Sequence, residues 1–183
     1  MFEDQRSKKV ILVAHCVLNM NARIDGCGYF PGAMGDIARL LTDSGVGILQ
    51  MPCPELLCLG LDRSGCQRGD TTIGIREALL EEDGWSACRK LAKDLAYQVK
   101  QYQKHGFEVL GVVGNNGSPA CGVALTWHED GGPGPGAGAF IMALLEEFER
   151  QGLSLPIMAV KDHDWEQGLV DVKRFLEQAS DPA

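Results

Sequence analysis

The chain has 183 residues, 45% of them hydrophobic and 23% charged, with a net charge of −8. That length fits one domain, residues 1–183, with a sizeable core. The acidic balance weighs against a nucleic-acid partner, which calls for basic patches. No apolar run reaches the roughly 18 residues of a membrane span, and no cleavage pattern follows the N-terminal MFEDQRSKK, so no membrane association and a cytoplasmic location are expected.

Strand-like and helix-like segments alternate along the chain. KKVILVAH (8–15) reads as a short buried strand, and GAMGDIARLLTDSG (32–45) as a helix with Ile37, Leu40 and Leu41 on one face. VGILQM (46–51) is the second strand. Residues 60–83 are polar and glycine-bearing, an excursion with room for a short helix. Apolar residues at 85, 88, 91, 95, 99 and 102 then recur at helical spacing. EVLGVV (108–113) is the third strand. DGGPGPGAG (130–138) reads as a loop before a helix through FIMALLEEF. It lacks the GK[ST] ending of a phosphate-binding P-loop, but its backbone N–H groups can still serve as an anion cradle or a lid. LPIMAV (155–160) is the fourth strand, and Asp164 stands where a final helix would be capped. Strands apolar on both faces, separated by helices, predict an α/β fold: a three-layer α/β/α sandwich, Rossmann-like, with a mainly parallel sheet of about four core strands.

Seven cysteines without a CxxC pair do not describe a ribbon or a ferredoxin-type run. In open parallel sheets ligands bind beyond the carboxyl ends of the strands. Cys16, Cys53 and Cys121 each follow a different predicted strand, so their thiols can converge on one sheet edge. Three thiolates suit a soft metal or an iron–sulfur cluster. Zinc with three cysteines and a water is the competing reading. Cys88 falls on the apolar face of a helix and reads as core. Cys27, Cys58 and Cys66 lie in loops near the site; one of them can serve as a fourth ligand, although an inert role is the plainer reading of each.

Glu55 follows Cys53 by two residues and Ser118 precedes Cys121 by three, so both can handle protons at the same edge. Against this, Glu55 can be a solvated helix cap and Ser118 a turn hydroxyl bonded to its own backbone. Arg23 and Asp25 follow the first strand and can pair with each other. His163, between Asp162 and Asp164 after the fourth strand, can reach the site or simply begin a helix. Asn19, Asn21, Asn115 and Asn116 supply amides able to read the edge of a heterocycle. The substrate-binding candidates are thus Asn19, Arg23, Asp25, Asn116 and His163.

Three blocks carry a resemblance to a known family. Cys16 is followed by Arg23, Asp25 and Gly26 at seven, nine and ten residues. Cys53-Pro54-Glu55 is followed by Gly60, Leu61 and Arg63, and Ser118-Pro119-Ala120-Cys121-Gly122 forms the third block. In order and separation these blocks resemble the 2-thiouracil desulfurase family over roughly residues 8–125. The resemblance implies a 4Fe-4S cluster on Cys16, Cys53 and Cys121, with Glu55 and Ser118 as catalytic residues. It implies an enzyme that removes sulfur from a small thiocarbonyl compound such as 2-thiouracil, giving the oxo product and sulfide. The chain departs from the pattern at Val17-Leu18-Asn19, Cys58-Leu59 and Ala120. These positions adjoin the site, as in a side branch that acts on another small sulfur compound. A non-enzymatic iron–sulfur sensor or sulfur carrier and a zinc or thiol hydrolase are the alternatives.

Overall fold

The structure is a computed structural model, which describes residues 2–128 and 132–180. Strand β1 (Lys9–Val13) enters the short helix α1 (His15–Leu18), and an irregular stretch leads to helix α2 (Gly35–Asp43). Strand β2 (Gly47–Gln50) is followed by helix α3 (Pro54–Leu59). Next come the two-residue strands β3 (Gln67–Arg68) and β4 (Thr71–Thr72) and the helices α4 (Ile75–Leu80) and α5 (Glu82–Lys104). Strand β5 (Glu108–Asn115) precedes strands β6 (Leu125–Trp127) and β7 (Pro133–Pro135) and helix α6 (Ala139–Gln151). Strand β8 (Ile157–Val160) and helix α7 (Trp165–Ser180) close the chain.

β1, β2, β5 and β8 form one parallel sheet in the order β2-β1-β5-β8. The central strands are buried on both faces, with Ile11, Leu12, Val13, Val112 and Val113 fully inaccessible. This is why they read as continuous apolar runs rather than as alternating patterns. Helices α2 and α7 pack together on one face, and α3, α4, α5 and α6 pack among themselves on the other. The architecture is the three-layer α/β/α sandwich with four core strands.

One irregularity lies in the centre of the sheet. β1 pairs with β5 as Val10↔Val109 and then as Leu12↔Val112, so β5 carries one extra residue between those pairs. Gly111 absorbs this bulge at φ 146°, and a Cβ there would lie 2.4 Å from the Pro156 carbonyl oxygen and 2.6 Å from the Phe175 ring of α7. Only glycine fits both the torsion and the space.

Three elements differ from the sequence reading. β5 runs on to Asn115 instead of ending at Val113. The polar excursion over 60–83 holds a small hairpin, β3–β4, besides the helix α4. Within DGGPGPGAG, Pro133–Pro135 pairs antiparallel with Leu125–Trp127. Two prolines mask that strand in the sequence, because they cannot donate to a ladder; here they belong to a two-stranded ribbon, where one edge needs no donors. Asp130 and Gly131 of that segment lie outside the described residues. Among the described residues no helix is long and apolar enough to cross a membrane.

Candidate active site

The carboxyl ends of β1, β2 and β5 deliver one cysteine each. After β1 the Ala14 N–H donates to the Val113 carbonyl at 2.8 Å, which fixes the exit of the chain into α1 and places Cys16 in its first turn. After β2 the Met51 N–H donates to the Val13 carbonyl at 2.8 Å. Two residues later Cys53 caps α3: its Sγ accepts from the Leu56 N–H at 3.5 Å, and Pro54 occupies the first helical position, where no N–H is needed. After β5 the chain folds back on itself, and the Cys121 carbonyl accepts from the Asn115 N–H at 2.9 Å. Close packing sets this last loop. A Cβ at Gly138, the residue before α6, would lie 2.4 Å from the carbonyl carbon and oxygen of Ala120.

All three cysteines line one cavity of about 670 Å³. Cys121 is 5% exposed. Its thiol is pushed well above its ordinary range, first by burial and then by the nearness of Cys16 and Cys53. Burial and the Glu55 carboxylate push Cys53 up to about 11. Cys16 has polar company instead: the Asn115 side-chain amide lies 3.3 Å from its Sγ, and Nη2 of Arg23 stands 3.6 Å away. With the Asn115 amide turned over, its nitrogen reaches the Val160 carbonyl at 3.2 Å and its oxygen accepts from Arg23. Burial opposes the charge on Arg23, but Cys16 and Asp162 outweigh it and hold its pKa above the usual value. The Arg23–Asp162 ion pair is 2.6 Å long and only 16% and 8% exposed at its two side chains.

A second buried pair holds Glu55. Arg63 lies 3.2 Å from Glu55 Oε2 and donates besides to the carbonyls of Gly60 (2.7 Å), Leu61 (2.9 Å) and Ala22 (2.9 Å). It adopts the left-handed conformation, φ 60° and ψ 26°, a strained state for a non-glycine residue that these contacts hold in place. The other carboxylate oxygen, Oε1, accepts from the Ser118 hydroxyl at 3.3 Å. Ser118 Oγ in turn accepts from the N–H groups of Ala120 (3.2 Å) and Cys121 (2.9 Å). Ser118 therefore bonds its own turn and also reaches the carboxylate.

The substrate-binding candidates divide. Arg23, Asn116 and His163 line the cavity; Asn19 and Asp25 do not. Asn19 caps the turn at Met20–Ala22, its oxygen accepting from the Asn21 N–H at 3.2 Å. Asp25 is exposed, and Arg23 pairs with Asp162 rather than with it. The Asn116 side-chain oxygen is occupied by the N–H groups of Val123 (3.2 Å), Ala124 (3.0 Å) and Leu125 (3.2 Å), so it ties the loop together. Sequence reasoning passed over other residues of the wall: Tyr29, Arg76, Trp127 and Lys161. Trp127 was hidden by the unrecognised β6–β7 ribbon. Arg76 offered no signal beyond its charge. Among the described residues neither Arg76 nor Lys161 has a carboxylate partner, and the buried Nε of Arg76 bonds nothing.

The donor set can be tested against a metal. Among the described residues no three His, Cys, Asp or Glu side chains are placed to hold one metal ion. A single tetrahedral zinc needs thiolates at about 2.3 Å, so its sulfurs crowd together. A multi-iron cluster spreads its sulfur ligands over separate irons and tolerates a wider ring of cysteines. Three soft thiols, one buried and two half-buried, with the Arg23 guanidinium beside Cys16, fit such a cluster, whose negative charge that cation would offset.

No protein-family model matches the chain. Uncharacterized protein MJ0003 of Methanocaldococcus jannaschii is 29% identical over 119 residues, which cover 64% of this chain and 70% of that protein. Among solved structures, the 4Fe-4S-dependent thiouracil desulfidase TudS aligns over 91% of this chain and 99% of its own, at 16% identity and a TM-score of 0.46.

Proposed function

We propose that the chain is an iron–sulfur enzyme that removes sulfur from a small thiocarbonyl compound, with a 4Fe-4S cluster held by Cys16, Cys53 and Cys121. The observation that carries this reading is the meeting of three thiols with the Ser118–Glu55–Arg63 chain in one cavity. A cluster with three protein ligands supplies an open iron, a Lewis acid on which a thiocarbonyl sulfur is polarised.

The residues of the chain do the rest. Glu55, ion-paired with Arg63, takes a proton from the water that adds to the thiocarbonyl carbon. Ser118 has one proton to give and both lone pairs engaged by backbone N–H groups, so that proton is aimed at Glu55 and the pair can pass a proton onward. The C–S bond then breaks, the oxo product forms, and sulfur departs as sulfide; no oxidant or reductant is consumed. The cations Arg76 and Lys161, which pair with no carboxylate among the described residues, favour a substrate with oxygen acceptors or negative charge away from its sulfur. A carboxylate hydrogen-bonded to a serine has no task in a mere sensor or carrier, and this favours an enzyme over those alternatives.

The test is anaerobic reconstitution followed by iron and acid-labile sulfide assays, then sulfide release from 2-thiouracil, 4-thiouracil and thiolated tRNA. Cluster formation with release from the free bases is expected. Failure to bind iron would remove the proposal, and release from tRNA alone would remove the small-substrate claim.

A further inference from the structure

Four cysteines remain once Cys16, Cys53 and Cys121 are assigned, and their surroundings differ. Cys88 is fully buried, and Cys66 is 2% exposed. Cys58 lines a separate cavity with Leu57, Arg68 and Glu81. Cys27 alone joins the three thiols in the wall of the active-site cavity, and it is exposed.

Its backbone is tied to the first of them. Nη1 of Arg23 donates to the Cys27 carbonyl at 3.3 Å, while Nη2 of the same guanidinium stands 3.6 Å from Cys16 Sγ. The segment is otherwise lightly held. Residues 25–29 are exposed, the Cys27 N–H makes one turn bond to the Ile24 carbonyl at 3.2 Å, and Gly26, at φ 77°, has open space where a Cβ would stand. The segment that carries the thiol is thus pinned at one carbonyl to the guanidinium that also meets Cys16, and its residue lines the same cavity.

We propose that Cys27 is an exchangeable fourth ligand: its thiolate closes the open iron in the resting enzyme and yields that position to the substrate sulfur. This rests on the cluster assignment above. Iron of this softness prefers thiolate to water, and a tethered thiol presents itself at an effective concentration of about millimolar, so the closed state forms unaided. The exchange is one of ligands only. The iron would give up its bond to Cys27 and gain one to the substrate sulfur, the freed thiolate would be protonated by the solvent buffer, and no electron would move. The closed state excludes water and small anions from the iron between turnovers.

Two measurements on the reconstituted full chain test this. In anaerobic titration with ferricyanide, the wild type and Cys58→Ser should retain all their iron. Cys27→Ser should shed the one iron without a protein ligand and show the paramagnetic three-iron species by electron paramagnetic resonance. Iodoacetamide labelling read by mass spectrometry should modify Cys27 in the iron-free chain and spare it in the loaded one. Equal iron loss in wild type and Cys27→Ser, or labelling of Cys27 in the loaded chain, would overturn the proposal while leaving the three-cysteine cluster standing. A wild type that takes up no iron would overturn both.

Discussion

The Ser118 hydroxyl points at Glu55 Oε1 across 3.3 Å because two backbone N–H groups already occupy its acceptor sites. Glu55→Gln replaces the carboxylate by an amide and leaves Arg63, 4% exposed, without its ion-pair partner. The variant should keep its iron, lose turnover by roughly a hundredfold or more, and lose about 3 kcal/mol of stability as an orphaned buried charge. Iron assay, steady-state kinetics and urea unfolding measure the three. Unchanged turnover would reduce Glu55 to a helix cap.

The assigned ligands and the core thiol should separate cleanly. Cys16→Ser, Cys53→Ser and Cys121→Ser should each abolish cluster retention, whereas Cys88→Ala, on the buried face of α5, should bind iron like the wild type. Full iron content in Cys121→Ser would remove the ligand assignment.

Gly138 lies far from Cys121 in sequence yet against its loop in space. Gly138→Ala would drive a methyl group into the Ala120 backbone, which the contact of 2.4 Å forbids without movement. A stability loss of about 1–3 kcal/mol is expected, together with faster loss of iron than in a control such as Gly35→Ala, where the side chain meets open space. Equal iron retention in both would show that the loop can give way without moving Cys121.

The wall cation Arg76 should matter to binding alone. Arg76→Met removes a donor whose Nε is buried without a partner. If substrate oxygen meets it, KM should rise about tenfold or more, since hydrogen bonds to charged groups are worth about 1.5–3 kcal/mol, with kcat and iron content unchanged. An unaltered KM would place the substrate elsewhere in the cavity.

Thiol protonation makes the iron-free chain sensitive to alkali. Burial pushes Cys88 up to about 12 and, with Glu55, Cys53 up to about 11, from an ordinary 9.0. Raised pKa values mean that the folded chain keeps protons that the unfolded chain releases. This stability is complete below pH 9.0 and declines as pH climbs from there towards 11–12. The urea midpoint of the iron-free protein should fall steadily above pH 9.0, and less steeply in Cys88→Ala. A flat midpoint would mean that these thiols ionise freely in the folded state.

Much of this arrangement could be read from the chain itself. Continuous apolar runs separated by helical spacing announce a parallel sheet, and a parallel sheet puts the residues after β1, β2 and β5 at one edge; this is how three distant cysteines could be grouped. What escaped was set by contacts between distant segments. The partner of Arg23 is Asp162, from beyond β8, rather than the nearby Asp25. Trp127 reached the cavity wall on a ribbon whose second strand carries two prolines, a composition that argues for a loop. Asn116 has the chemistry of a base reader, but three local N–H groups claim it first.

The bulge at Gly111 has a consequence at the other end of its strand. Side chains along a strand alternate between faces, so one inserted residue reverses the parity of everything downstream. Asn115 lies four residues beyond Gly111 and sets its side-chain amide against Cys16 and the Arg23 guanidinium. Without the extra residue the same asparagine would face the opposite helical layer, and Cys16 would lose that polar neighbour. A torsion tolerated only by glycine, buried against Phe175, thus decides which face of the sheet meets the first cysteine.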